Sequence, residues 1–217
     1  MSLGDQFELF GPSVFEVRYN IAPTDLAPVV RLEDGHRVLK LLRWGLVPTW
    51  AKDLAEGTRA VNARSETLAE KRTFKEAFKA RRCIVPASGF YEWKTVGKAR
   101  VPHFIQRKDG LYLGMAGLWD RWYSPENERI ETFTVLTSAA NTLVAELHDR
   151  MPVVLEAKDY GRWLDPHTFE ISALESLLVP ASAELFTMRA VDPYVNRAGN
   201  EGPRCLDPYR ADQLELF

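Results

Sequence analysis

Ala27-Pro-Val-Val-Arg31, Glu33-Asp-Gly35 and Arg37-Val-Leu-Lys-Leu-Leu-Arg-Trp44 read as two strands and the tight turn between them. Asp-Gly between apolar runs is a strong hairpin signal, because a two-residue turn that matches strand twist needs positive φ. Upstream, Tyr19-Asn-Ile-Ala-Pro23 reads as a loop or strand edge stopped by its Pro. Downstream, Gly45-Leu-Val-Pro48 breaks the second strand and Trp50 to Leu54 suggests a turn of helix. Short strands recur at Cys83 to Val85 (ended by Pro86), Gly89 to Trp93, His103 to Gln106, Leu111 to Leu118, Phe133 to Thr137, Val153 to Leu155 and Leu185 to Arg189. Helical spacing marks Thr67 to Ala80, with Ser65 or Thr67 as cap. Ser138 to Asn141 turns the chain into a helix running to about Leu147, and Ala157 to Leu164 and Ser172 to Leu178 are further helical candidates. Met1 to Gly4 reads as a leader rather than a structural element, so residues 1–14 are expected to be a leader or remnant of the native start and 15–217 one domain. The tail after Asn196 is expected to wrap the surface. Strands outnumber helices and connections are short. The expected fold is therefore α+β: a single domain with a largely antiparallel, curled or barrel-like sheet and flanking helices.

A chain of 217 residues with 46% hydrophobic content can bury a sizeable core, which excludes disorder. A net charge of -2 argues against a general polyanion binder and leaves room for a local basic groove. Only Cys83 and Cys205 are present, far apart, so a disulfide scaffold is excluded and the cytosol is the natural compartment. No apolar run reaches bilayer length and no export signal opens the chain. No Gly-rich loop follows a strand, which argues against nucleotide-cofactor folds. Six Trp and seven Tyr exceed what core filling usually needs, leaving rings to line a cleft.

Three segments set reactive polar side chains beside hydrophobic runs: Asn62 to Thr67, Ser88 to Trp93 and His148 to Pro152. Together they point to one polar site. Glu92 stands between two aromatics, and partial desolvation raises a carboxylate's pKa and suits it to proton transfer. Alternation places it on the strand face of Phe90, opposite Tyr91 and Trp93; the alternative is an outward, half-exposed carboxylate. Asn62 and Arg64 are two apart and point the same way on an extended segment. An amide and a guanidinium on one face seat a phosphate or sugar oxygen. The alternative is that Asn62 caps a turn and Arg64 pairs with Glu66 or another acid. His148 follows the apolar Leu143 to Leu147 and can exchange protons near neutral pH, or else it caps a helix C-terminus.

His36 and His167 are expected at the surface and His103 in the core. No acids or cysteines stand at ligand spacing from a His, so neither metal nor other cofactor is expected. Lys71-Arg72, Lys79 to Arg82 and Lys94 to Arg100 are most simply charged faces. Beside Trp44, Trp50 and Trp93 they also suit a groove that tracks a nucleic-acid backbone and stacks bases.

In order, the chain carries Tyr19-Asn-Ile-Ala-Pro23, Arg43-Trp-Gly-Leu46, Asn62-Ala-Arg-Ser-Glu-Thr67 and Arg82-Cys-Ile-Val-Pro86 with Gly89-Phe-Tyr-Glu-Trp93. Ala116-Gly-Leu-Trp119, Phe133 to Ala140 and His148-Asp-Arg-Met-Pro152 follow, then a weaker Val195-Asn196 with Asn200-Glu-Gly-Pro203. From Phe15 to Asn200 this resembles the SOS-response-associated peptidase (SRAP) domain, a family that processes abasic sites. The resemblance implies binding of single-stranded DNA that contains an abasic site, with no membrane contact, by a monomer in the cytoplasm, nucleoid-associated when bound in a bacterium. It further implies a family nucleophile, a cysteine exposed by self-removal of the initiator Met. Its amine condenses with the sugar aldehyde, and its thiol then closes a thiazolidine, giving a DNA–protein crosslink.

By the same resemblance Asn62 orients the N-terminal residue and the sugar, Glu92 is the acid/base, and His148 handles protons on the opened sugar. Arg64 contacts a phosphate, and Trp44 and Trp93 lie near the DNA channel. Position 2, however, is Ser2. Two readings stay open: the native start differs from Met1 to Gly4, or the protein is a non-enzymatic single-stranded or damaged-DNA binder that lost the nucleophile. A general thiol peptidase is a third reading, with no Cys–His pair to support it.

Overall fold

The computed structural model describes residues 1–12, 15–168 and 171–210. Among these, the elements in chain order are α1 (Leu3–Phe7), β1 (Leu26–Glu33), β2 (His36–Trp44), β3 (Asn62–Arg64), α2 (Arg72–Ala80), β4 (Arg82–Ala87) and β5 (Phe90–Val96). They continue with β6 (Ala99–Arg107), β7 (Leu113–Tyr123), β8 (Arg129–Ala139), β9 (Arg150–Pro152), β10 (Val154–Leu155), α3 (Tyr160–Leu164) and β11 (Phe186–Ala190). The β1–β2 hairpin turns through Asp34 and Gly35 at φ 48° and 79°, the left-handed pair that the Asp-Gly signal demands.

The larger sheet runs β10-β7-β4-β1-β2-β8-β3, and β8 also pairs with β7. That second pairing closes β7, β4, β1, β2 and β8 into a ring, so the sheet is a barrel flanked by helices. Most neighbours are antiparallel; β2 and β3 run parallel to β8. Strand alternation divides the barrel wall into two cores. The outer one holds Val30, Ile84, Leu118 and Leu136 beneath Phe7 of α1, Phe78 of α2 and Trp163 of α3. The inner one holds Val29, Leu42, Val85, Met115, Phe133 and Val135. A second sheet, β11-β6-β5, adds Ile105, Phe186 and Phe90 to that inner core.

Arg82, 3% exposed, ties the outer helices down without a carboxylate partner. Its Nε donates to the Trp163 carbonyl at 2.6 Å, and Nη1 donates to those of Phe78 and Lys79 at 2.6 and 2.8 Å. Nη2 donates to the Asp165 carbonyl. The last carbonyls of a helix lack intrahelical partners, so one guanidinium satisfies the ends of both α2 and α3.

Several expectations are corrected. Ser2 to Phe7 form a structural element rather than a leader: Ser2 caps α1 in a capping box with Asp5, and Phe7 is fully buried, stacked 5.1 Å from Tyr160. The expected helix from Thr67 shortens to α2, and neither Ser65 nor Thr67 caps it, since a 3-10 turn occupies Ser65–Thr67. β4 runs through Pro86 instead of stopping there. The helix expected to Leu147 is a 3-10 turn at Val144–Glu146, because Asn141 Oδ1 accepts from the Leu143 and Val144 amides and caps the chain locally. Within Ser172 to Leu178 the chain likewise makes 3-10 turns, at Ile171–Ala173 and Glu175–Leu177. The tail does more than wrap the surface. Val195 and Cys205 join Phe104 in a third core on the far face of the second sheet.

Truncating Phe7 to Ala is expected to cost about 3–5 kcal/mol, the range for emptying a well-packed aromatic site. Urea denaturation measures it. A change within about 0.5 kcal/mol, as for an exposed position, would show that α1 is not part of the core.

Candidate functional site

β3 continues from a tightly held loop. Gly45, at φ 119°, passes so close to Gly57 that an added Cβ would stand 2.7 Å from the Gly57 carbonyl oxygen. Leu46 then donates its amide to the Ala60 carbonyl, and Trp44 Nε1 donates to that of Val61 at 2.8 Å. These bonds deliver Asn62 to a fixed place beside Val135, and Arg64 beside Thr137. Ala63 and its partner Leu136 point into the outer core. Asn62 and Arg64 therefore face the other way, the side on which the second sheet packs. Both are exposed, and among the described residues the Asn62 amide makes no side-chain hydrogen bond and Arg64 no ion pair. The alternative roles of turn cap and partner of Glu66 do not apply.

Glu92 sits on β5 opposite His103 of β6. Phe90 on its face packs into the inner core, whereas Tyr91 packs on Phe104 in the third core. The carboxyl thus faces the same side as Asn62 and Arg64. It is half-buried, and burial pushes its pKa up. His148 and Arg100 pull in the opposite direction and Asp149 adds to the rise. Glu92 and His148 are therefore within electrostatic reach of each other.

The His148 ring is held by its own chain. The Arg150 amide donates to Nδ1 at 3.0 Å, and Asp149 Oδ1 lies 3.3 Å from the same nitrogen. The Arg150 carbonyl also lies 3.3 Å from Nδ1, so donor and acceptor groups both crowd this edge of the ring. The expected helix-cap role gives way to this local loop.

Trp44 and Trp93 differ. Trp44 is half-buried, its ring centroid 6.2 Å from that of Phe133 and its N–H committed to Val61. It supports the loop that leads to Asn62. Trp93 points from the opposite face of β5 to Glu92 and donates Nε1 to Asn196 Oδ1 at 2.7 Å, with the Arg100 guanidinium 5.6 Å from its ring. His36 and His167 are exposed, and His103 is half-buried with Nδ1 3.1 Å from the Val101 carbonyl.

Sequence reasoning missed the pair that links these segments. Arg150 is bidentate to Glu66, 2.8 Å on each oxygen, and also donates to the Thr137 carbonyl. Both residues stood inside quoted motifs, yet 84 positions separate them and no local spacing connects them. Asn20 was likewise passed over. It is buried, and its Nδ2 lies 3.1–3.2 Å from the carbonyls of Val195, Arg197 and Asn200, which explains why the Tyr19 and Asn200 motifs occur together.

Among the described residues no group of three His, Cys, Asp or Glu is placed to hold a metal, and no helix is long and apolar enough to cross a membrane. A cavity of about 150 Å³ beside Leu32, Arg82, Trp119 and Leu164 is lined by none of the candidate residues.

Because folding places Glu92 where its charged form is disfavoured, its contribution to stability is full below the ordinary carboxylate range and lost as pH rises through the raised value. Glu92→Gln is therefore expected to be more stable than the parent at neutral pH, with the gap closing towards pH 4. Urea denaturation at both pH values checks this; a gap that widens on acidification would contradict it.

Comparison with known proteins shows the family of the chain. The chain is 37% identical over 192 residues to abasic site processing protein YoqW of Bacillus subtilis, covering 88% of this chain and 86% of the relative. It is 35% identical over 207 residues to abasic site processing protein YoaM of the same organism, covering 94% and 91%. A crystal structure of a protein from Bacteroides thetaiotaomicron superposes with a TM-score of 0.78 at 28% identity, over 86% of this chain and 82% of that one. The family model described as SOS response associated peptidase (SRAP) matches residues 3–198, and the chain belongs to that family.

Proposed function

We propose that this protein binds single-stranded DNA at abasic sites and that its polar face performs amine–aldehyde condensation on the opened sugar. The observation that carries the reading is the half-buried Glu92 carboxyl within electrostatic reach of His148, on the side that Asn62 and Arg64 face. In such a condensation an amine nitrogen attacks the aldehyde carbon, the oxygen takes up protons, and water leaves as the imine forms. The oxygen needs a proton donor, and a carboxyl with a raised pKa retains its proton at higher pH than an ordinary one. His148 exchanges protons on the sugar, Asn62 orients the reacting groups, and Arg64 engages a phosphate. Trp93, with Arg100 over its ring, offers a base a stacking surface. Cytoplasmic location, nucleoid association when bound, and a monomeric state complete the proposal.

An N-terminal cysteine makes the adduct permanent, because its thiol adds to the imine carbon and closes a thiazolidine. Ser2 has no thiol. A general thiol peptidase is not favoured: Cys83 is fully buried in the inner core, where burial pushes its thiol pKa far up, and only the thiolate is nucleophilic.

Affinity for an abasic single strand is expected to exceed that for a duplex, and to fall as salt rises through counterion release. Salt-titrated binding measures both, and equal affinity for duplex and single strand would count against the reading. On a denaturing gel, the 217-residue chain beginning Met1-Ser2 is expected to give an abasic-DNA adduct only after reduction. A chain rebuilt with Met-Cys-Gly-Arg ahead of the domain is expected to give one without reductant, and more slowly with Glu92→Gln. A heat-stable adduct from the Ser2 chain without reductant would show a different nucleophile.

A further inference from the structure

β8 has different neighbours along its two edges near Thr137. On one side Arg64 of β3 is its partner, and on the other Pro152 of β9. Asn62 arrives on the first strand and His148 immediately precedes the second. Backbone pairing alone fixes neither segment well, because β3 and β9 are three residues each. Glu66, in the 3-10 turn directly after β3, meets Arg150, the first residue of β9, across this junction.

The Glu66–Arg150 geometry is that of a strap. Nη1 donates to Glu66 Oε1 and Nη2 to Oε2, both at 2.8 Å, and Nη2 also donates to the Thr137 carbonyl of the strand being crossed. A two-pronged guanidinium–carboxylate pair constrains orientation as well as distance. The Arg150 side chain is 18% exposed and the Glu66 side chain 51%, so the guanidinium is held against β8 while the carboxylate reaches it from solvent. The Arg150 amide meanwhile donates to His148 Nδ1, so wherever Arg150 is held the imidazole is held too.

We propose that Glu66 is a positioning residue: through Arg150 it sets the place of His148 relative to Glu92 and to the Asn62–Arg64 strand. The part this plays in chemistry rests on the assignment of those residues to one substrate, but the placement itself is testable without DNA. Glu92 is half-buried in the second sheet, whereas His148 is exposed on a loop, its ring held by Arg150 and Asp149 and its amide by the Val144 carbonyl. The charged groups acting on Glu92 are His148, Arg100 and Asp149, of which His148 and Asp149 move with the strap and Arg100 does not.

The test is a mutant cycle on the folded protein at one fixed pH, following the His148 ring resonances by NMR. Glu92→Gln changes the group electrostatically coupled to the ring, so it is expected to shift the His148 ring resonances clearly while Glu66 is present. In a Glu66→Ala background the same change is expected to move His148 by less than half as much. The direct loss of the Glu66 charge is common to both arms of that background and cancels. Arg150→Lys keeps the charge and loses the two-pronged seat, and is expected to weaken the coupling as Glu66→Ala does. A full-sized response to Glu92→Gln in both the Glu66→Ala and Arg150→Lys backgrounds overturns the positioning role and leaves the proposed function standing. No response in any background shows that Glu92 and His148 are not neighbours in solution, and overturns both.

Discussion

Closure of the barrel through the pairing of β8 with β7 is the constraint on which the rest depends. An open sheet of this kind would leave two edges of unpaired amides and carbonyls, and closure removes them. It also requires β8 to serve many partners at once: β7 and β9 along one edge, β2 and β3 along the other. Every segment that carries a candidate residue is attached to this strand directly, except β5. Glu92 comes instead from the second sheet, whose inner face packs on the barrel core through Phe90 and Ile105.

The two cores divide the work. The outer core carries the helices and is locked by Arg82, whose guanidinium takes four carbonyls from the ends of α2 and α3. Such a group is costly to bury, and it is tolerated because each of its three nitrogens finds an acceptor. The inner core leaves its margin to polar groups. Asn62 and Arg64 follow a loop pinned by Trp44 and by the Gly45–Gly57 contact, so their exposure does not imply looseness. A site of exposed groups on strands and short pinned loops suits a ligand that must enter sideways, as a flexible strand does.

The third core gives the late motif its structural role. Asn20 binds carbonyls from Val195 to Asn200, and Glu201 accepts from the Tyr19 amide and from Arg18. The early and late segments thus cover the outer face of β5 and β6 together. Asn196 then reaches Trp93 and the Arg100 carbonyl, which fixes the ring behind Glu92.

Local chemistry in the sequence was enough for the hairpin, since Asp34-Gly35 admits few other turns, and for the alternation that sets Glu92 with Phe90. It also singled out Asn62, Arg64 and His148 as polar groups beside apolar runs. It misjudged Met1 to Gly4, because a five-residue helix carries too little periodicity to show, and its burial comes from Tyr160 far along the chain. It overextended the helix from Thr67 and the one running to Leu147, where side-chain caps and 3-10 turns compete with helical spacing. Only the tertiary structure decided that Glu66 answers Arg150 rather than Arg64, that Trp44 supports a loop, and that Glu92 lies within electrostatic reach of His148. Those facts depend on barrel closure, which brings residues from distant parts of the chain into contact, and periodicity along a strand says which face a side chain takes but not which strand it will face.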